Sequence, residues 1–263
     1  MRDGPCRSPD ASPTTRPCAA DQPSPTERPP RAGHLSAWRS PEKGPPWPSE
    51  PQSSVGPGLG LALTRPFADA GYPVAMLARD KAKLDTYAAE FTSAGQDVRG
   101  YAADAADPDS LRAALHTAIT ELGAPAVLVY NAGVVREDAP VDGDDQDWAD
   151  VTAVNVLGAR VAADAVLPHL REGRGSLLFT GGGLALFPSP HYTSLSVGKA
   201  ALRAYVQALH THLAGTGVHA TSVTIAGAIG GGKERFDPAV LAQAYLDLHH
   251  QPEDEWQHEL LRD

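Results

Sequence analysis

The sequence predicts an α/β fold, in which helices cover both faces of a doubly wound parallel sheet. Two observations carry this prediction. From Val55 onward, short apolar stretches alternate with helical stretches of about 12–20 residues. A glycine-rich turn at residues 56–60 leads directly into the first apolar helical stretch. Alternating strands and helices form βαβ units, which bury a parallel sheet between two helical layers, so a three-layer αβα architecture follows.

The individual elements follow from apolar periodicity and from the residues that start or stop helices. Asp107-Pro108 and Asp237-Pro238 each start a helix, because Asp caps the N-terminus and Pro fits the first helical position. The predicted helices are residues 58–69, 80–94, 108–122, 147–170, 191–214 and 238–250. The predicted strands are residues 73–78, 98–103, 126–130, 176–179 and 219–225, with a short edge strand in the acidic tail at residues 253–263.

The turn Gly56-Pro57-Gly58-Leu59-Gly60 is typical of a site for a diphosphate. Glycine adopts backbone conformations with positive φ and lets a ligand approach closely. The helix that follows offers unpaired N–H groups and the positive end of its dipole. Three glycines in five residues therefore predict the phosphate cradle of a Rossmann-like dinucleotide-binding domain, and a plain glycine-rich turn is the alternative.

The first strand, which should precede this turn, is poorly specified. A parallel strand buried on both faces is a run of Val, Ile or Leu, whereas residues 48–54 contain two prolines and a glutamate. Pro66 stands inside the following helix, where proline removes a backbone hydrogen bond. Two explanations stay open. Either a wrong start site or a shifted reading frame lies upstream of the turn, or residues 1–52 are a genuine extension with a poor first strand.

Composition separates the chain into two parts and excludes several partners. Thirteen of the 24 prolines lie in residues 1–51, so residues 1–52 are predicted to be a disordered Pro-rich segment and residues 53–263 the dinucleotide-binding domain. The net charge of −10 argues against a nucleic-acid partner. No apolar run reaches about 18 residues, so no membrane partner is predicted. Cys6 and Cys18 leave the folded part without cysteines, which predicts a cytoplasmic protein with no metal site.

Ligands of parallel sheets bind beyond the carboxyl ends of the strands, so polar residues there are candidates. Arg79 follows the strand at residues 73–78. A guanidinium at that point favours the 2′-phosphate of NADP, whereas a surface arginine is the alternative, and NAD stays open as the cofactor. Asp104 follows the next strand, where it would meet the adenine edge or begin a turn.

Further motifs appear in a fixed order along the chain. Asn131-Ala132-Gly133 follows the strand at residues 126–130, and Asn155-Val156-Leu157-Gly158 lies within a long helix. Ser196-Val197-Gly198-Lys199 lies near the start of the helix at residues 191–214, and Ala226-Gly227-Ala228-Ile229 follows the strand at residues 219–225. Together with the glycine turn and Asp104, this order resembles the short-chain dehydrogenase/reductase superfamily over residues 53–250.

The resemblance implies hydride transfer between a nicotinamide and a carbonyl or alcohol carbon. It assigns Lys199 and Asn155 to the active site, but Leu195 stands where the family has its acid/base tyrosine, and Gly182 stands where it has a serine. Tyr192 is the substitute acid, with aromatic packing at a helix start as the alternative. The cofactor-binding residues it implies are Gly56, Gly58, Leu59, Gly60, Arg79, Asp104, Asn131, Ala132, Gly133, Lys199 and Ile229.

Three functions are therefore open from the sequence. The first is an NADP-dependent oxidoreductase with atypical or impaired catalytic residues, acting on an unidentified small carbonyl or alcohol. The second is a non-catalytic nucleotide-binding relative that serves as a sensor or scaffold. The third is an inactive product. Because the helices at residues 147–170 and 191–214 resemble the pair through which family members assemble, a homodimer or homotetramer is expected.

Overall fold

A computed structural model describes residues 58–141, 143–170 and 175–263. The proline-rich segment 1–52, the predicted first strand and Gly56 lie outside the described residues. The helices are α1 (Leu59–Asp69), α2 (Lys81–Ser93), α3 (Pro108–Leu122), α4 (Asp145–Thr152), α5 (Gly158–Val166), α6 (Thr193–His212) and α7 (Pro238–His250). The strands are β1 (Val74–Ala78), β2 (Val98–Ala102), β3 (Val127–Tyr130), β4 (Gly175–Gly182), β5 (Val218–Ile225) and β6 (Glu259–Arg262).

The described strands form two parallel sheets. Strand β1 pairs with β2, and the other sheet has the order β3-β4-β5-β6. The parallel α/β architecture predicted from the alternation of elements is confirmed, as is the edge strand in the tail, which is β6. Within the described ranges, no strand lies between β1 and β3, so one edge of each strand has no partner there.

An apolar slot separates these two edges. A cavity of about 540 Å³ lies there, and Val74 of β1 and Val127 and Val129 of β3 line it. Leu115 and Ala118 of α3 line the same cavity. The facing edges and apolar lining have the shape and chemistry that suit one more buried parallel strand.

Helices bury apolar side chains on both faces of the larger sheet. On one face, Leu177 and Phe179 of β4 pack in a cluster with residues from α3, α5 and α6. On the other face, Leu178 packs in a cluster with residues from α1 and α7. Successive strand residues point to opposite faces, so these alternating contacts place the sheet between two helical layers.

The long helix predicted at residues 147–170 differs from the structure. It begins at Asp145, because the Asp144 side chain accepts a hydrogen bond from the Gln146 N–H and caps the helix. It also contains a π turn at Ala153–Leu157 between α4 and α5, and α5 ends at Val166. By length and composition, the stretch Asp145–His169 is also apolar enough to cross a membrane. In this domain, 44% of its most apolar part is buried.

Two further predicted elements need correction. Helix α6 begins at Thr193 rather than residue 191, because Tyr192 has φ −142° and its backbone pairs with Asp138. Strand β4 runs on to Gly182, three residues beyond the predicted end at residue 179, so Gly181 and Gly182 belong to the strand. At Gly181 a Cβ would lie 2.6 Å from Thr224 Oγ1, so the close approach of β5 requires glycine there.

Candidate functional site

A cleft of about 590 Å³ opens at the carboxyl ends of β1 and β3. Its lining includes five of the predicted cofactor-binding residues, which are Arg79, Asp104, Asn131, Ala132 and Gly133. They come from three segments distant in sequence, and they meet because parallel strands end at the same side of a sheet. The structure therefore brings together, in one cleft, candidate residues that the sequence placed after three separate strands.

Arg79 is exposed at the mouth of this cleft. The neighbouring Asp80 caps α2, accepting a hydrogen bond from the Lys83 N–H at 3.1 Å, and its other oxygen lies 3.7 Å from Lys83 Nζ. Because the Asp80 carboxylate is engaged at the helix, the guanidinium of Arg79 is available to an anion in the cleft.

Asp104 begins a local turn and also lines the cleft, and its contact with an adenine edge stays a prediction. It lines the cleft, and its Oδ1 accepts a hydrogen bond from the Ala106 N–H at 2.9 Å, which closes a local turn. The Ser110 hydroxyl accepts a hydrogen bond from the Asp104 N–H at 3.1 Å. The turn explains the residue type by itself, since Asp commonly bonds the backbone two residues on.

Asn155 is fully buried in the π turn. Its Oδ1 accepts a hydrogen bond from the Val134 N–H at 3.1 Å, and its Nδ2 donates to the Val134 carbonyl at 3.4 Å. A Cβ on Gly133 would lie 3.2 Å from Asn155 Oδ1 and 3.7 Å from Lys199 Nζ. Asn155 and Lys199 therefore meet at Gly133, next to residues that line the cleft.

Lys199 lies on α6, and its ammonium donates a hydrogen bond to the Thr180 carbonyl at 2.8 Å. Burial lowers the pKa of Lys199 to about 8, because a charged ammonium loses hydration in such a place. The Thr180 hydroxyl is in turn 2.7 Å from the Tyr245 hydroxyl of α7. A lysine with this pKa exchanges its proton readily near neutral pH.

Gly182 and Leu195 both adjoin this lysine. A Cβ on Gly182 would lie 3.7–3.8 Å from the Cγ, Cδ and Cε atoms of Lys199, which is ordinary van der Waals contact. Leu195 precedes Lys199 by one helical turn on α6 and is buried. A small side chain therefore fits at residue 182 without displacing Lys199.

Tyr192 lies outside the helix that carries Lys199. It is the N-terminal cap residue of α6, and its side chain makes no capping hydrogen bond to the helix. Among the described residues, no hydrogen bond joins its hydroxyl to Lys199 or Asn155. The catalytic role of Tyr192 stays a prediction, and its expected place inside the helix at residues 191–214 was wrong.

Asp138 supplies the cap that Tyr192 lacks, and the sequence reasoning missed it. Its two carboxylate oxygens lie 3.2 and 3.0 Å from the Ser194 nitrogen and accept a hydrogen bond from that N–H. The Asp138 N–H donates to the His191 carbonyl at 3.0 Å. Ser194 and Asp138 are 56 residues apart in sequence. The only signal for this contact was that Tyr192, at the cap position, is not a residue type that caps helices.

We expect Asp138→Ala to lower the free energy of unfolding by about 1 kcal/mol, because it removes the side-chain cap of α6. Asp138→Asn keeps an acceptor oxygen and is the matched control, so its loss should be smaller. Urea unfolding followed by far-UV circular dichroism measures both variants. Equal stability of Asp138→Ala and the parent chain would show that the α6 terminus does not need this carboxylate.

The remaining cradle residues stand at the N-terminus of α1. Gly58 is the cap residue, and as a glycine it has no side chain to cap the helix. The first turn of α1 contains no acidic residue. Leu59 and Gly60 are buried, and Leu59 packs in the α1–α7 cluster. Ile229 lies in the loop after β5, which is closed by the hydrogen bond from the Gly230 N–H to the Phe236 carbonyl at 2.9 Å. None of these residues lines the cleft described above.

Known proteins resemble this chain in sequence and in fold. Residues 54–230 match the family model of the short chain dehydrogenases. A short chain dehydrogenase of Pseudocercospora fijiensis is 34% identical over 164 residues, which are 61% of this chain and 53% of that relative, so the chain spans about half of its length. An alcohol dehydrogenase from the archaeon Thermococcus sibiricus, complexed with 5-hydroxy-NADP, has TM-score 0.70 at 24% identity, covering 78% of this chain and 91% of that chain.

A second solved structure has the same fold. It is the NADPH-bound short chain oxidoreductase from Pseudomonas aeruginosa PAO1, described as containing an atypical catalytic center. Its TM-score is 0.70 at 22% identity, and the match covers 78% of this chain and 90% of that chain. The family match spans more than half of the sequence, and it includes α1, the cleft residues, Asn155 and Lys199. The chain therefore belongs to the short chain dehydrogenase family.

Proposed function

We propose that the chain is an NADP-preferring oxidoreductase, which moves hydride between the nicotinamide and a small carbonyl or alcohol through an atypical set of acid–base groups. One observation carries the proposal. The cleft at the strand ends gathers Arg79, Asp104 and residues 131–133, and Lys199 and Asn155 adjoin it at Gly133. That arrangement suits a long ligand with a phosphate near one end and a reacting ring near the other.

The described residues fit a dinucleotide. Among the described residues, no side chain caps the N-terminus of α1, so its backbone N–H groups suit a diphosphate. Arg79 offers its guanidinium to a 2′-phosphate. The absence of a side chain at Gly133 keeps space beside Asn155 and Lys199, and the bound cofactor would supply or accept the hydride.

The acid–base groups are where this chain departs from its family. At the positions that the family resemblance gives to tyrosine and serine stand Leu195 and Gly182, which cannot donate a proton. Lys199, with its pKa near 8, and Tyr192 are the groups we assign to proton transfer and to holding the nicotinamide ribose. By the family resemblance, Asn155 would organise a water in the proton relay. Its side-chain amide bonds the backbone of Val134, a residue of the cleft lining.

A second function from another class has its own support. Leu195 and Gly182 favour a non-catalytic NADP-binding protein that acts as a sensor or scaffold. Both versions are proposed to be cytoplasmic and to assemble as a homodimer or homotetramer, without nucleic-acid or membrane partners.

We expect Arg79→Glu to weaken NADPH binding about 10- to 100-fold and to change NADH binding less than about twofold, because only NADPH carries the 2′-phosphate. Fluorescence titration with each cofactor measures both affinities. Arg112→Glu is the matched control, since it changes the net charge equally and lies on α3 outside the cleft lining. Equal losses for both cofactors would remove the NADP preference from the proposal.

Turnover separates the two proposed functions. Oxidation of NADPH over a panel of small aldehydes and ketones supports the oxidoreductase. Tight NADPH binding without oxidation across the panel supports the sensor or scaffold instead. Failure to bind either cofactor would contradict both proposals.

A further inference from the structure

Tyr130 joins the last residue of β3 to the π turn that carries Asn155. It is buried, and its hydroxyl donates a hydrogen bond to the Val154 carbonyl at 2.5 Å. Val154 directly precedes Asn155, whose amide makes two hydrogen bonds to the Val134 backbone. Three hydrogen bonds therefore connect the stretch 130–134 with two consecutive residues of the π turn.

Gly158 makes room for this hydroxyl. A Cβ at Gly158 would lie 2.4 Å from Tyr130 Oη and 2.5 Å from the Ala105 carbonyl oxygen, which are impossible contacts. Gly158 stands three residues after Asn155, so the Asn-x-x-Gly element has a physical explanation in this chain. The asparagine reaches Val134, and the glycine admits the tyrosine that holds the same turn.

The tyrosine ring is itself held in place. It packs against Phe179 of β4 with the ring centroids 6.4 Å apart, and Phe179 makes an edge contact with Tyr205 of α6. Burial raises the pKa of Tyr130, so its hydroxyl stays protonated and remains a donor throughout the working pH range. A π turn within an α-helix is uncommon and often stands at a functional site, and here a rigid aromatic donor secures it.

We infer that Tyr130 is a positioning residue, whose hydroxyl holds the π turn in the register that keeps Asn155 bonded to Val134 and adjacent to Lys199. Tyr130 lines the cleft, but its hydroxyl is engaged by the Val154 carbonyl, so we assign it no contact with the reacting atoms. Its effect on the structure of the π turn is independent of the proposed function, whereas its effect on turnover rests on that function.

Amide hydrogen exchange on the ligand-free protein tests the structural part. Tyr130→Phe removes one oxygen atom, and we expect exchange at the Val134 N–H, the donor to Asn155, to become about five- to tenfold faster. Tyr101→Phe is the matched control, because it removes another buried tyrosine hydroxyl that donates a hydrogen bond, to Glu121 at 2.9 Å. Amides of β5 report global opening, and the Val134 rates are compared after correction for them.

The outcomes are distinct. Faster exchange at Val134 in Tyr130→Phe but not in Tyr101→Phe supports the inference, and unchanged exchange at Val134 overturns it. If the chain oxidises NADPH, Tyr130→Phe should lower kcat about tenfold and leave NADPH affinity within about twofold. A protein that binds no cofactor would contradict the proposed function while the exchange result still decides the role of Tyr130.

Discussion

We expect that replacing Ser49, Glu50, Pro51 and Gln52 by Val, Ile, Val and Ile raises the free energy of unfolding by about 3 kcal/mol. The expected gain arises in the slot between β1 and β3, whose lining is apolar. Burying each of the four side chains contributes roughly 1.5–3 kcal/mol, and ordering their backbone and side chains offsets roughly 1–2 kcal/mol per residue. A strand at this point would also pair with both facing edges and join the two sheets.

Urea unfolding measures the gain, and amide exchange across β1 and β3 shows where it arises. A variant with Ser49, Glu50 and Pro51 all replaced by Gln is the control, because it removes the proline and the charge without adding apolar surface. Equal stabilisation by the control would mean that loss of the proline, rather than apolar burial, is responsible. No gain in the apolar variant would contradict the interpretation of the slot as a strand position.

We expect that combining Leu195→Tyr with Gly182→Ser raises NADPH-dependent carbonyl reduction at least about 100-fold. A positioned general acid contributes typically about 10²–10⁴-fold, and a donor to the substrate oxygen contributes about 10²–10³-fold. Lys199 already stands one helical turn after residue 195, and the added Cβ at residue 182 makes only van der Waals contact with the lysine. The scaffold therefore already holds the lysine, and it has room for a small side chain at residue 182.

The matched control for this pair is Leu195→Phe with Gly182→Ala, which adds similar volume without hydroxyl groups. NADPH affinity is measured in parallel, and it should stay within about twofold of the parent chain in both double variants. An increase in turnover in the control would assign the gain to packing. Unchanged turnover in the hydroxyl-bearing variant, with NADPH still bound, would show that the cleft cannot place a carbonyl near Lys199.

The elements predicted from local signals agree with the structure most closely. Helix α3 begins at Pro108 and ends at Leu122 as predicted, because Asp107 caps it and Gly123 follows it with φ +88°. The alternation of apolar strands and helices determined the parallel sheet, and the residues after β1 and β3 proved to share one cleft. These features depend on residues close in sequence, or on the general rule that parallel strands end at one side.

Other features depend on contacts between distant residues, which no local pattern encodes. Asp138 caps α6 from 56 residues away, and Tyr130 holds the π turn from 24 residues away. The sequence by itself determined the fold class, the family and the strand-end residues. Only the tertiary structure decided that Tyr192 lies outside α6 and that Asn155 stands in a π turn, because each follows from packing between segments that meet only after folding.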